Sequence, residues 1–206
     1  MTAREIETLR EDIARAEAEL DASVRRLAGK RTGGEMEAYE AAFQQLLNAE
    51  RKLATAEARP HAVAETMSLL WDVGAPLPTL IQSDNDAHLL FLLSDDESAV
   101  GLVRFDGCSA TLFGNPGDET FPGHPLHGSG FEPYRAMRVI NSPWIDQLRR
   151  IDSVHPRHNE ASFAELNHFI FPFHDTTFEC VARSYAASRV PGRLSDAVKA
   201  VVDQLF

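Results

Sequence analysis

The segment from His168 to Ala182, His-Phe-Ile-Phe-Pro-Phe-His-Asp-Thr-Thr-Phe-Glu-Cys-Val-Ala, alternates apolar and polar residues on either side of a turn, the pattern of a β-hairpin. With Asp175 and Thr176 at the turn, Phe173 faces Phe178 and Phe171 faces Cys180. Phe169, Phe171, Phe173, Phe178, Cys180 and Ala182 then share one face, and His168, His174, Thr177 and Glu179 share the other. This register makes His174 and Glu179 diagonal neighbours. A carboxylate beside an imidazole raises its pKa and fixes its tautomer, as a general acid or base requires. His174, Glu179 and Asp175 are therefore the candidate catalytic residues, although the same grouping also occurs on solvated sheet faces. Pro172 marks the first strand as an edge or bulged strand, and Cys180, on the apolar face, is expected to be inert.

A second concentration of reactive side chains lies in Phe113–Pro133, which holds five glycines and four prolines in 21 residues and so excludes regular structure. Irregular loops of this length are uncommon in compact domains and commonly bind ligands or act as lids. Phe113, Phe121, Leu126 and Phe131 are its expected anchors, and it presents Asp118, Glu119, His124 and His127. An Ω-loop covering one end of a sheet is the competing reading. His124-Pro-Leu-His127 and His155-Pro-Arg-His158 each place two imidazoles three residues apart, and four such nitrogens suit a tetrahedral zinc or another divalent metal. Against a metal, neither pair falls on an expected helix, and no cysteine cluster or His-Glu-x-x-His motif accompanies them. No phosphate loop or dinucleotide fingerprint is present, so no organic cofactor is expected.

These residues must be positioned by the rest of the chain. Residues 1–58 read as a helical hairpin and residues 62–206 as an α+β domain. In the first helix Ile6, Leu9, Ile13, Ala16, Leu20, Val24 and Leu27 recur in steps of three and four, with a Thr2–Glu5 capping box at the start and Gly29 as the stop. A second capping box, Thr32–Glu35, opens a helix striped by Met36, Tyr39, Phe43, Leu46, Leu47, Leu53 and Ala56. The heptad-like spacing makes this coiled-coil-like pair the expected association arm of a homodimer; folding back onto its own body is the alternative.

The body reads as an antiparallel sheet of about six or seven strands with helices packed on one face. Strands are expected at 79–82, 88–93, 100–105, 109–113, 134–140, 168–173 and 178–183. The short links at Ser94–Ser98 and Asp106–Gly107 predict antiparallel neighbours. Ser142 with Pro143 opens a helix, Asn159 a shorter turn, and Ser195 caps a final helix.

At Phe113-Gly-Asn-Pro-Gly-Asp-Glu, Gly123-His-Pro-Leu, Asn141-Ser-Pro-Trp-Ile, Val154-His-Pro and His168-Phe-Ile-Phe-Pro-Phe-His-Asp-Thr-Thr-Phe-Glu-Cys, the chain resembles a family of small bacterial proteins with no assigned activity. The resemblance spans roughly residues 88–185 and implies one domain there, with the hairpin as an addition. It brings no cofactor or partner. It makes Asp118, Glu119, His124, Asn141, His155, His174, Asp175 and Glu179 a common candidate set, with Asp118, Glu119, His124, Asn141 and His155 as the ligand-binding candidates.

Composition decides between function classes. Twenty Lys and Arg stand against 31 Asp and Glu, a net charge of −11 that repels nucleic acid and anionic lipid. Residues 1–58 carry −3 of it and residues 59–206 carry −8. The charged N-terminus lacks an apolar core and only two cysteines occur, so a reduced, cytoplasmic protein is expected. The leading reading is an acidic interaction or regulatory module, dimeric through its hairpin, that binds a protein partner of basic character as an immunity or antitoxin protein does. The alternative is an enzyme or small-ligand binder, such as a metal-dependent hydrolase, built from the 113–133 loop and the 168–183 hairpin.

Overall fold

A computed structural model describes residues 2–29 and 33–205. The chain divides into two compact units, residues 1–63 with 125–132 and residues 64–124 with 133–206.

The first unit holds α1 (Ala3–Gly29) and α2 (Gly33–Ala56). Arg10, early in α1, pairs with Glu57, just past α2, at 3.0 Å, so the helices run antiparallel. The Thr2–Glu5 capping box forms in both directions, the Thr2 N–H donating to Glu5 at 2.6 Å and the Glu5 N–H to Thr2 Oγ1 at 3.3 Å. Thr32, of the second capping box, lies outside the described residues. The two helices are unequal in burial. Along α1 the stripe Ile6, Leu9, Ile13, Leu20 and Leu27 is only half-buried, whereas α2 buries Ala42, Leu47, Ala49, Glu50, Leu53 and Ala54.

Residues 125–132 belong to this unit because α2 clasps them with polar side chains. Glu50 accepts the Gly130 N–H at 2.8 Å, Arg51 donates to the carbonyls of Ala62 at 2.9 Å and Gly130 at 3.0 Å, and Gln44 donates to Glu132 at 3.0 Å. Arg59 adds a bond to Ser129 Oγ at 3.2 Å, which gives the serine of His127-Gly-Ser-Gly a structural partner.

Along the chain the strands are β1 (His61–Ala64), β2 (Thr79–Gln82), β3 (Ala87–Leu92), β4 (Ala99–Asp106), β5 (Ala110–Gly114), β6 (Met137–Ile140), β7 (Asn167–Pro172), β8 (Thr177–Ala182) and β9 (Ser184–Pro191). Helices α3 (Pro143–Asp152), α4 (Glu160–Phe163) and α5 (Leu194–Leu205) complete the fold. The class is α+β as expected, but the strands of the second unit form two sheets rather than one: β6-β7-β8-β5 and β2-β3-β4-β9. The meander β2-β3-β4 is the expected one. The Asp106–Gly107 link, however, is a corner and not a hairpin. Gly107 takes a φ of +60°, the chain leaves the second sheet, and β5 pairs with β8 while β4 pairs with β9.

The second unit's core lies between the two sheets. Leu89, Phe91, Val103 and Phe105 come from one, Phe169, Phe171, Phe178 and Cys180 from the other, and Trp71 packs among them with its ring 4.9 Å from that of Phe173. The expected apolar face of the 168–182 hairpin is therefore correct. Helix α5 covers the outer face of the second sheet through Ala197 and Val201, while α3 lies against β7, so the helices do not share one face. Ser195 is the second residue of α5, which starts at Leu194, and is not its cap. Ser142 does cap α3, its Oγ accepting the Ile145 N–H at 3.3 Å with Pro143 in the first helical position, and Asn159 caps α4.

Candidate functional sites

The hairpin turn sits one residue earlier than expected. The Phe173 N–H donates to Thr176 O at 2.8 Å, His174 and Asp175 occupy the turn, and Phe171 rather than Phe173 faces Phe178. The register is displaced by two residues, which keeps every side chain on its face but changes its diagonal neighbours. Glu179 consequently meets His168, not His174, at 2.7 Å. Pro172 ends a central strand and does not mark an edge.

His168 and His174 each build a separate constellation. His174 Nδ1 donates to Asp118 Oδ2 at 2.7 Å, and the Tyr134 hydroxyl donates to the same oxygen. The backbone fixes this meeting: the Asp118 N–H donates to His174 O at 2.7 Å, and Thr177 Oγ1 donates to Pro116 O at 2.8 Å. Gly117 is required there, since a Cβ would lie 2.9 Å from His174 O. The Tyr134 hydroxyl, and then His174, hold the Asp118 carboxyl below the usual carboxylate range, while Asp118 raises the His174 imidazole above its ordinary value. Burial and the Asp118 carboxylate push the Tyr134 phenol up to about 12. Glu119 and Asp175 flank the group, with Asp175 at 4.0 Å from His174 Nε2. Thus loop and hairpin do meet, through Asp118 and His174.

A raised imidazole and a depressed carboxylate strengthen the Asp118–His174 link over one pH window. The Asp118 contribution is present above the usual carboxylate pKa and is lost as pH falls through the depressed value. The His174 contribution is complete below the usual imidazole pKa and is lost as pH rises through the raised one. Asp118→Asn is expected to return the His174 pKa toward its ordinary value, followed by imidazole NMR across a pH titration. An unchanged midpoint would contradict the pairing.

The second constellation is buried. Ser142 Oγ lies 2.9 Å from His168 Nδ1, and His168 Nε2 lies 2.7 Å from Glu179 Oε2. An imidazole protonated on Nε2 donates to Glu179 and accepts the Ser142 hydroxyl on Nδ1. The Trp144 ring packs edge-on to His168 at 5.1 Å. A hydroxyl, an imidazole and a carboxylate in sequence are the elements of an activated nucleophile, here at the N-terminus of α3. Ser142 reads from sequence only as a helix cap, and His168 only as a face-mate of Glu179.

The other expected residues are dispersed. His124 is buried and ends the 3-10 turn Asp118–Gly123, its N–H donating to Phe121 O. His127 lies exposed in the first unit. Asn141, exposed with a φ of +54°, joins β6 to α3. His155 accepts the Arg157 N–H within its own turn at 3.1 Å, and His158 lies between Asp152 at 2.7 Å and Glu160 at 3.0 Å, which raise its pKa. Among the described residues, no group of three or more His, Cys, Asp or Glu is arranged to hold a metal ion. Phe121, Leu126 and Phe131 anchor the loop as expected, but Phe113 is 44% exposed and does not.

The end of the sandwich where the chain changes sheets holds a feature built from separate turns, with no contiguous motif in the sequence. The two passages between sheets run side by side, with the Arg183 N–H donating to Asp106 O at 2.9 Å. Beside them is a cavity of 470 Å³. Asp84, Asn85 and Asp86 of the β2–β3 turn line it, with Asp106, Gly107, Cys108 and Ser109 of the corner, Arg183, and Ser162, Phe163 and Leu166 around α4. Among the described residues, Asp84, Asp86 and Asp106 form no ion pair with Lys or Arg, and the one guanidinium, Arg183, is shared with Glu165 at 3.6 Å.

No protein-family model, curated protein or solved structure matches the chain. Among the described residues no helix is long and apolar enough to cross a membrane.

Proposed function

We propose that this protein is an interaction module that binds a basic protein partner, in the manner of an immunity or antitoxin protein, and that a cationic side chain of the partner enters the cavity beside Asp106. The carrying observation is that three carboxylates without a basic partner among the described residues line one concavity, against a single guanidinium already shared. Other carboxylates of the body do have a basic partner, as where Arg189 spans Asp95 and Asp96 and Arg149 holds Glu160. Unmatched like charges in a concave site focus the field and favour a cation of complementary shape. In a titration of the full chain with an arginine-rich peptide followed by backbone amide NMR, the largest shifts are expected at 84–86 and 106–109. Shifts spread evenly over the acidic surface would overturn the reading.

The hairpin is proposed as the arm through which two copies associate. The half-buried stripe of α1 supports this, together with Val24 and Met36, which are 47% and 44% exposed. Sedimentation velocity is expected to give a dimer that Val24→Glu with Met36→Glu converts to a monomer. A wild-type monomer at every concentration would contradict it.

One observation favours a second reading, an enzyme with a histidine and carboxylate site: the Ser142–His168–Glu179 relay. A fluorophosphonate probe that labels Ser142, and fails to label it after His168→Gln, supports this reading. An unlabelled wild-type protein counts against it.

A further inference from the structure

Cys108 and Cys180 are the only cysteines of the chain, and although they are 72 residues apart their Sγ atoms lie 3.5 Å from each other in the interior. Both are held by backbone hydrogen bonds. Cys180 lies in β8, opposite Phe169 on one side and Thr111 on the other. Cys108 donates its N–H to Asn85 O at 2.8 Å, and the next N–H, of Ser109, donates to Val181 O at 2.7 Å. A disulfide needs the sulfurs at about 2.05 Å, so closure is a matter of about 1.5 Å, within reach of side-chain rotation.

The two thiols differ in environment. Both belong to the core between the sheets, but Cys108, 3% exposed, is also among the residues that line the acidic cavity, whereas Cys180 is fully enclosed among the core rings. The Cys180 S–H beside it draws the Cys108 thiol below its ordinary value, against burial and the nearby Asp86 carboxylate. The same contact, with burial, pushes the Cys180 thiol up.

We propose that Cys108 and Cys180 form a peroxide-oxidisable dithiol, with Cys108 as the sulfur that meets hydrogen peroxide from the cavity and Cys180 as the sulfur that closes the disulfide. The Cys108 thiolate attacks one peroxide oxygen, an S–O bond forms, the O–O bond breaks, and the departing hydroxide takes a proton to leave as water. Cys108 is thereby oxidised to a sulfenic acid and the peroxide is reduced. The Cys180 sulfur then attacks the sulfenic sulfur, the S–S bond forms, the S–O bond breaks, and the hydroxide leaves as a second water with the Cys180 proton. Two thiols and one peroxide thus give one disulfide and two waters, and an external dithiol reverses the change. The bond ties the corner after β4 to the middle of β8. By restricting the unfolded chain it raises the melting temperature of the oxidised form.

The test uses the reduced full-length protein, hydrogen peroxide as the probe, catalase to stop the reaction, and unfolding in iodoacetamide before intact-mass and peptide analysis. The expected result is a loss of about 2 Da, no alkylation, a peptide pair joined through Cys108 and Cys180, and restoration of both thiols by dithiothreitol. In Cys180→Ala, dimedone is expected to trap a Cys108 sulfenic acid, whereas in Cys108→Ala the Cys180 thiol stays unmodified. Complete alkylation of both thiols after peroxide, with circular dichroism showing an intact fold, would overturn the proposal. Equal reactivity of the two single variants would overturn the assignment of Cys108 as the first sulfur. Neither result bears on the partner reading, because no partner is present.

Discussion

Gly130→Ala is expected to release residues 125–132 from α2 and to lower stability by about 3 kcal/mol or more, the sum of a left-handed backbone forced on an L side chain and a lost hydrogen bond to a charged group. Gly130 has a φ of +80°, and a Cβ there would lie 2.5 Å from Arg51 Cγ and 2.6 Å from Ala62 O. Neither neighbour can yield cheaply. Arg51 holds two carbonyls, and Ala62 O is one of them. Moving the Gly130 peptide also takes its N–H from Glu50, which is 9% exposed and whose pKa burial already raises. A group whose folded pKa is raised contributes stability below its unfolded pKa and loses it as pH rises through the folded one. Burial, which the Gly130 hydrogen bond only partly offsets, therefore makes the Glu50 contribution to stability largest in acid and smaller as pH rises, and Glu50→Gln is expected to remove that pH dependence. Urea denaturation of the variants, with hydrogen exchange at 125–132, checks both outcomes. An unaltered midpoint in Gly130→Ala would show that the clasp contributes little.

Phe171→Ala is expected to cost about 3 to 5 kcal/mol, a large share of the roughly 5 to 15 kcal/mol that holds a domain together. Its ring is completely buried where the two sheets meet, edge-on to Phe105 at 5.6 Å and to Tyr185 at 6.1 Å, and 6.1 Å from both Trp71 and Phe178. Truncation leaves a void walled by rigid rings from both sheets, which have little freedom to collapse into it. The urea midpoint falls accordingly while the slope of the transition stays constant. A loss under 1 kcal/mol would mean that the sheets repack around the gap.

Face assignment was legible in the sequence to a degree that sheet membership was not. Period-two alternation puts Phe169, Phe171 and Cys180 on the core side in either register of the turn, because a two-residue displacement preserves faces. It does not preserve diagonal pairs, and so Glu179 meets His168 and not the expected His174. The Asp106–Gly107 link reads as a hairpin turn because two residues suffice for one. Only the pairing of β5 with β8 and of β4 with β9 turns it into a corner. Strand β9 gives a weak signal in the sequence because Ser184–Pro191 offers only Tyr185 and Ala187 to the core between the sheets and Val190 to the face under α5. For the same reason the acidic cavity had no sequence signature. Asp84, Asp86, Asp106 and Arg183 come from three turns, and a sequence presents them as ordinary turn chemistry. The loop and hairpin were each legible as candidates, and their junction at Asp118 and His174 follows from tertiary structure alone.

Under the proposed function, the cavity carboxylates rather than net acidity recognise a cation. Two variants of equal charge separate these: Asp84→Asn/Asp86→Asn/Asp106→Asn, and Glu97→Gln/Asp196→Asn/Asp203→Asn as the control. Each removes three negative charges from the chain's −11. Affinity for an arginine-rich peptide, measured by fluorescence anisotropy at two salt concentrations, is expected to fall at least tenfold in the first variant and to stay near wild type in the second. Equal losses in both would reduce the interaction to overall charge and contradict the account.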